Sequence, residues 1–374
     1  MQQHYDNMAP CDGLNSVALT PISFLRRAAD VYPDHPAVIH QQRRYDWRQT
    51  AQRCARLGVA LRQLGVASGS TVSLMAANTP ELIEAHYGVP MSGGVLNAIN
   101  TRLDADTVAY ILQHGDCQVL IADTCFSGVI KLALAQLDRP PIVIDIVDAQ
   151  VAPPDGGGER LGATTYEELL ATAPDEIGRE HEVWQPPESE WSALTLNYTS
   201  GTSGRPKGVV YHHRGAYLMA MGTIAAWQLP KHPRYLYTVP MFHCNGWGHV
   251  WTMAAMGGTL VCSRAINAET IFDAIERHQI THFGGAPIIL AMLADAPAKM
   301  RERLRRKVAH SVQVMTAGAP PPSAVLAKVE QLGFEVTHVY GLTETYGHVM
   351  YCDWRREWRD LPRERQAELK SRQG

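Results

Sequence analysis

Short, nearly continuous apolar segments of strand length recur along this chain, separated by stretches long enough for a helix. Residues 70–76 (STVSLMA), 118–123 (QVLIAD) and 141–146 (PIVIDI) are three of them, and YLYTVP, ITHFGG, VQVMTAGA and EVTHVYG follow in the second half. Strands of this kind, covered on both faces and joined through helices, make βαβ units and a mainly parallel sheet. The intervening helices carry their own signals. Residues 50–64 place Ala51, Cys54, Leu57, Leu61 and Leu64 at helical spacing, with Gly65 as the C-terminal cap. Residues 78–93 open with Asn78 or Thr79 as cap, Pro80 in the first turn and Glu81 just inside. Residues 104–115 give a further helix ending at Gly115, and residues 268–279 an amphipathic one. The fold class expected is α/β, with stacked α/β subdomains and mainly parallel sheets.

A chain of 374 residues with 45% hydrophobic residues exceeds the ~250–300 residues at which single cores stop growing, so two or three subdomains are expected. Residues 151–163 (VAPPDGGGERLGA) and 172–190 are polar, Pro- and Gly-rich stretches. They suggest a first α/β subdomain with linker over 1–190 and a second over 191–374.

The net charge of -3 argues against a protein that binds nucleic acid by neutralising phosphates. The basic run at 299–307 (KMRERLRRK) reads as a solvated helix face. Seven cysteines without a CxxC pair suit a reducing compartment, and a cytoplasmic location is expected. No apolar run reaches the length of a membrane span.

One segment carries specific chemistry: LTLNYTSGTSGRPKGVVYHH, residues 194–213. Thr199, Ser200, Gly201, Thr202, Ser203 and Gly204 suit a loop around anionic oxygens. Glycines let backbone N–H groups converge, and the hydroxyls add rotatable donors. Lys207 brings a mobile positive charge. A strand leading in and a helix following are expected to complete the anion site. It is not a Walker A loop, because Arg205 and Pro206 stand between Gly204 and Lys207 and Gly208 follows the lysine. Nor does it have the G-x-G opening of a dinucleotide fingerprint.

YTSGTSGRPKGV resembles the phosphate-binding signature of the adenylate-forming, AMP-binding enzyme superfamily. PMFHCNGW (240–247), TAGAP (316–320) and VYGLTETYG (339–347) agree with that family in order. HCNGW and the charged tail are similar to the medium-chain acyl-CoA synthetase and methylthiopropionate-CoA ligase-like branch. The resemblance implies an ATP-dependent ligase that activates a carboxylic acid, a short- to medium-chain fatty or methylthio acid, as acyl-AMP and passes it to coenzyme A. ATP, Mg²⁺ and coenzyme A are implied as cofactor and co-substrates. The implied partners are small molecules, with no nucleic acid and no membrane span, and a homodimer is allowed for.

Residue by residue, the resemblance places the glycine loop and Lys207 on the β- and γ-phosphates. Thr343 would bond the α-phosphate and Glu344 would coordinate Mg²⁺, with Thr202 as a second metal contact. Tyr340 and Gly341 on one side and Gly318, Ala319 and Pro320 on the other would hold adenine. His243 and Trp247 would gate and wall the carboxylate and acyl channel, joined by Tyr346. Phe283, Gly284 and Gly285 would line the acyl pocket, two small residues suggesting room for more than acetate. Gly248-His249 departs from what relatives commonly show after HCNGW. A Cys–His nucleophile at His243-Cys244 is disfavoured, because adjacent residues rarely align and no third group orients them. The histidines match no closed zinc pattern.

The family's ribose-binding aspartate, hinge and mobile C-terminal domain with its adenylation lysine have no counterpart before Gly374. The charged tail is expected to continue in a longer protein. Two other functions stay open: a truncated, non-catalytic nucleotide-binding module, and an adenylation subunit that loads a carrier protein.

Overall fold

The computed structural model describes residues 17–148, 158–174, 186–199 and 204–373. Its strands in chain order are β1 (Pro36–His40), β2 (Arg43–Asp46), β3 (Thr71–Met75), β4 (Val95–Ala98), β5 (Cys117–Asp123), β6 (Ile142–Ile146), β7 (Thr164–Thr165) and β8 (Ala193–Thr199). There follow β9 (Lys207–His212), β10 (Arg234–Tyr237), β11 (Thr259–Cys262), β12 (His282–Gly285), β13 (Val312–Thr316), β14 (Phe334–Leu342) and β15 (Gly347–Tyr351). They form two sheets, ordered β15-β14-β13-β12-β10-β11-β1-β2 and β7-β6-β5-β3-β4-β8-β9. Among the described residues three pairs are antiparallel: β1–β2, β14–β15 and β8–β9. The α/β class with mainly parallel sheets is therefore what the chain adopts.

The sheets do not follow the division expected at residue 190. β8 and β9 complete the sheet of the first half through β4, while β1 and β2 join the sheet of the second half through β11. Strand exchange of this kind rests on pairing between distant segments, which local periodicity does not encode. A second correction concerns the glycine loop. The helix expected to follow it begins only at His213, and β9 intervenes, antiparallel to β8. The element after the glycine-rich segment is thus a strand paired with the one before it, not a helix.

Between the sheets lies the helix Pro80–Met91, all twelve of whose residues are buried. Pro80 opens it, as expected, but Thr79 makes no side-chain cap. It touches β1 of one sheet and β3 and β4 of the other. The helix Trp47–Gln63 starts at a capping box in which Asp46 and Gln49 bond reciprocally. It packs on Pro80–Met91 through two glycines: a Cβ at Gly88 would fall 2.7 Å from Leu57 Cδ2, and one at Gly58 3.0 Å from Met91 Cβ. Residues 299–307 are helical, and Arg303 there pairs with Asp273 and Glu276. None of the cysteines among the described residues is in a disulfide. No helix among them is long and apolar enough to cross a membrane.

Candidate functional site

The segments singled out in the sequence leave the carboxyl ends of five parallel strands: β8, β10, β12, β13 and β14. In open α/β sheets this is where ligands bind.

The hairpin comes first. Thr199 and Lys207 face each other across its base, with Lys207 exposed. Gly204, at φ +127°, takes a conformation that side chains resist, and no described residue lies within 4 Å of where a Cβ would stand. Ser200, Gly201, Thr202 and Ser203 lie outside the described residues. The guanidinium of Arg205 sits over the Tyr110 ring, 5.3 Å from its centroid.

Thr343 and Glu344 begin a single 3-10 turn, Thr343–Thr345, directly after β14. Thr343 is buried and carries two links. Its carbonyl accepts from the Tyr211 hydroxyl of β9 at 2.7 Å, and its hydroxyl lies 3.2 Å from Cys244 Sγ. Glu344 is exposed. Tyr346 stacks on Tyr211 with centroids 4.2 Å apart, and its hydroxyl accepts from His212 N–H at 3.0 Å. Gly215 makes this possible, since a Cβ there would stand 2.3 Å from Tyr346 Cζ. Tyr346, expected to touch substrate, is thus a strut that ties the turn to the hairpin. Gly341 likewise serves the backbone: a Cβ on it would collide with the Gly347 carbonyl as β15 doubles back.

Tyr340 is partly exposed and lies two residues beyond His338, which pairs with Thr316; Gly318 lies two residues beyond Thr316. The two neighbouring strands therefore deliver Tyr340 and the exposed Gly318, Ala319 and Pro320 side by side.

The segment after β10 is the most constrained part of the site. Cys244, Asn245, Gly246, Trp247 and Gly248 all have positive φ, between 42° and 69°. A left-handed turn costs roughly 1–2 kcal/mol for each residue with a Cβ, and three of these five have one. Contacts from both sheets hold it. Asn245 Oδ1 accepts from Thr195 of β8 at 2.7 Å, and the Gly246 carbonyl accepts from Tyr237 of β10 at 3.0 Å. Asn78 fixes the approach: its amide donates to the Tyr237 and Val239 carbonyls, and its oxygen accepts from Met241 N–H. His243 is exposed at the start of the turn. Cys244 Sγ is 3.5 Å from its Nδ1, but burial pushes the thiol pKa up, so no thiolate nucleophile forms.

Trp247 packs on β12. A Cβ at Gly284 would lie 2.9 Å from Val239 Cγ2, 3.0 Å from the Tyr235 hydroxyl and 3.2 Å from Trp247 Cζ3. The glycine lets these groups close in, so it does not leave the room expected of it. Phe283 points to the opposite face, into the core against Phe334, with centroids 5.6 Å apart. Gly285 shares that face, backed by Ile289. Neither stands with Trp247. Among the described residues, no group of three or more His, Cys, Asp or Glu side chains could hold a metal by itself.

Asn78, Thr195, Tyr211 and Asn245 were not singled out from sequence. Asn78 was read as a helix cap, and Asn245 lies within the HCNGW motif without a role there. A bond between sheets has no local pattern to find.

Loops at the carboxyl ends of parallel strands, beside the β8–β9 hairpin, make this the ligand-binding end of an α/β fold. The AMP-binding enzyme family matches residues 25–374, and the chain belongs to it. An acetate/butyrate–CoA ligase of Arabidopsis thaliana, peroxisomal by its name, is 44% identical over 368 residues, 96% of this chain and 63% of that protein. A 2-methylpropanoate–CoA ligase of Humulus lupulus is 44% identical over 363 residues, again 96% and 63%. The chain thus spans 63% of the length of these curated relatives. The inhibitor-bound N-terminal domain of FACL13 from Mycobacterium tuberculosis superimposes with a TM-score of 0.76 at 27% identity, covering 89% of this chain and 78% of that one. An anthranilate CoA ligase bound to anthranoyl-AMP shares the fold, with a TM-score of 0.78 at 22% identity.

Proposed function

We propose that the protein takes part in ATP-dependent activation of a short carboxylic acid, as acyl-AMP, and its transfer to coenzyme A. In the first step a carboxylate oxygen bonds to the α-phosphorus of ATP and pyrophosphate leaves. In the second the thiol sulfur of coenzyme A bonds to the acyl carbon and AMP leaves. The single observation carrying this reading is Thr343, bonded at once to the hairpin strand through Tyr211 and to the acyl-side turn through Cys244. The link supports reading the hairpin strand, the Thr343 turn and the 244–248 turn as one constellation, which is what aligning a carboxylate with phosphorus requires.

Two observations favour a short acid. Trp247, Val239 and Tyr235 close over Gly284, and two relatives are named for acetate/butyrate and 2-methylpropanoate. Glu344 has no ion-pair partner among the described residues. One free carboxylate beside bound phosphates is the environment Mg²⁺ prefers, with phosphate oxygens and water as its other ligands. When bound, Mg²⁺ would neutralise phosphate charge. Lys207 and the hairpin donors bind and orient the phosphate side; Trp247 and the 244–248 turn position the acid.

The purified protein, given ATP, Mg²⁺, coenzyme A and acids from C2 to C10, should form thioester and release AMP, best with the shorter acids. Release of ADP, or transfer to a phosphopantetheinyl carrier protein but not to free coenzyme A, would overturn it.

A further inference from the structure

His249 opens the helix His249–Ala255 and is fully buried. Neither of its ring nitrogens has a hydrogen-bond partner among the described residues. Its ring lies 4.7 Å from that of Tyr235, 5.4 Å from Trp227 and 6.3 Å from Trp247, centroid to centroid. The Tyr235 hydroxyl is also fully buried, with the Gly284 backbone beside it and no side-chain partner among the described residues. It reaches the wall at Gly284, where Trp247 arrives from the other side. An orphaned imidazole and a buried phenol with bonding capacity to spare therefore converge behind the residues that bound the acyl site.

Buried polar groups are nearly always hydrogen-bonded, and each exception calls for an explanation. Packing alone would be served better by a phenylalanine or leucine at 249. We propose that His249 and Tyr235 form a polar floor to the acid pocket behind Trp247, and that this floor selects short acids bearing a hydroxyl group remote from the carboxylate. The proposal rests on the reading of the protein as an acid-activating ligase. A neutral imidazole offers one donor and one acceptor, and a hydroxyl is both, as is the phenol of Tyr235. Burial holds the imidazole neutral. Trp227, Trp247 and His348 surround it and bring no charge to pair with an ionised tail, so a second carboxylate or an ammonium is disfavoured there. A plain alkyl tail leaves the imidazole unpaired, and a site built to bond a hydroxyl rejects its deoxy analogue by large factors.

The test compares kcat/KM for thioester formation with 3-hydroxybutyrate, 4-hydroxybutyrate and 5-hydroxypentanoate against butyrate and pentanoate. At least one hydroxy acid should be preferred over its deoxy analogue by about tenfold or more. That ratio should collapse toward one in His249→Phe, and fall in the near-isosteric Tyr235→Phe. A preference for the deoxy acids in the unmodified protein overturns the proposal. So does an equal loss for both classes in the variants, the result expected if a buried water satisfies His249 or its role is only structural. A second readout needs no turnover. In protein carrying ¹⁵N-labelled histidine, the His249 ring resonances, assigned by their loss in His249→Gln, should shift on addition of the preferred hydroxy acid and not of butyrate. A shift without any thioester formation would sink the ligase reading alone. Thioester formation with neither shift nor preference would sink this proposal alone, and failure of both readouts would sink both.

Discussion

On the proposed reading Glu344 and Lys207 serve the same phosphates from two strands with different support behind them. Lys207 is an exposed side chain at the base of the β8–β9 hairpin, and it would share the phosphates with the backbone donors of the glycine-rich segment. Lys207→Ala should therefore slow acid-dependent pyrophosphate exchange modestly, by about 1–3 kcal/mol or roughly 10- to 100-fold. Glu344 follows Thr343, which is pinned by Tyr211 and Cys244, so its carboxylate is held where few substitutes exist. Glu344→Ala should cost roughly tenfold more than Lys207→Ala. Exchange rates of the two variants, measured side by side, decide the matter; unchanged exchange in Glu344→Ala would remove it from the site. Residue types were the legible part of this site, and residue orientation was not. Phe283, Gly284 and Gly285 looked alike as neighbours in one motif. Strand alternation nevertheless sends Gly284 to Trp247 and the flanking pair to the core. Gly284 looked like spare room, yet three side chains close on it.

At the level of elements, helices with caps and strong periodicity were readable almost to their ends, as Trp47–Gln63 and Ala105–His114 show. Elements whose reason to exist is a distant partner were not. β9 follows a glycine loop with no alternating pattern of its own, and β1–β2 is a short hairpin whose second strand reads RRYD. The left-handed turn at 244–248 contains only two glycines and depends on Thr195, Tyr237 and Thr343 from three strand ends. Tyr211→Phe tests one such tie. Losing its bond to the Thr343 carbonyl should lower kcat about tenfold with a smaller change in the KM for ATP, since the turn loosens while the phosphate contacts stay. Equal loss of kcat in a distant, half-buried tyrosine variant such as Tyr45→Phe would deny Tyr211 that role. The sheets themselves are joined by charge. Arg264, beyond β11, reaches Asp123 at the end of β5 at 2.9 Å and Asp148 at 2.8 Å, and Asp148 also meets His40 of β1 at 3.0 Å. Arg264→Met strands a fully buried Asp123 and should destabilise by about 3–5 kcal/mol. Adding Asp123→Asn should recover part of that loss in urea unfolding. Additive losses would show that the pair is not coupled.

For the whole molecule, the same burial that builds the interior stores a sensitivity to acid. His86, His213, His282 and His348 are buried, and desolvation lowers each of their pKa values to about 4. His249 is also held well below its ordinary value by burial, aided by His348 and His282. In the unfolded chain these imidazoles titrate near 6.5. Below that pH the unfolded state takes up protons that the folded state refuses, so stability is full above about 6.5 and is lost as pH falls toward 4. One group opposes this. Burial raises Glu84 to about 7 against an ordinary 4.5, although Arg53 lies 2.6 Å away, so the folded state gains a proton there as pH falls through 7. The four histidines at about 4, set against one carboxyl, leave a net difference of about three protons near pH 5, a slope on the order of 4 kcal/mol per pH unit, and burial lowers His249, His35, His243, His278 and His338 in the same direction. Urea midpoints should therefore hold nearly level from pH 8 to 7 and drop steeply between 6 and 5, well above the range where surface carboxylates titrate. His213→Gln keeps a hydrogen-bonding partner for Thr20, which lies 2.8 Å from His213 Nδ1, and removes one titrating group. Its slope between pH 6 and 5 should be shallower by about one proton, or 1.4 kcal/mol per pH unit. Identical slopes in the two proteins would mean that His213 is protonated in the folded state, and the acid sensitivity would have to come from elsewhere.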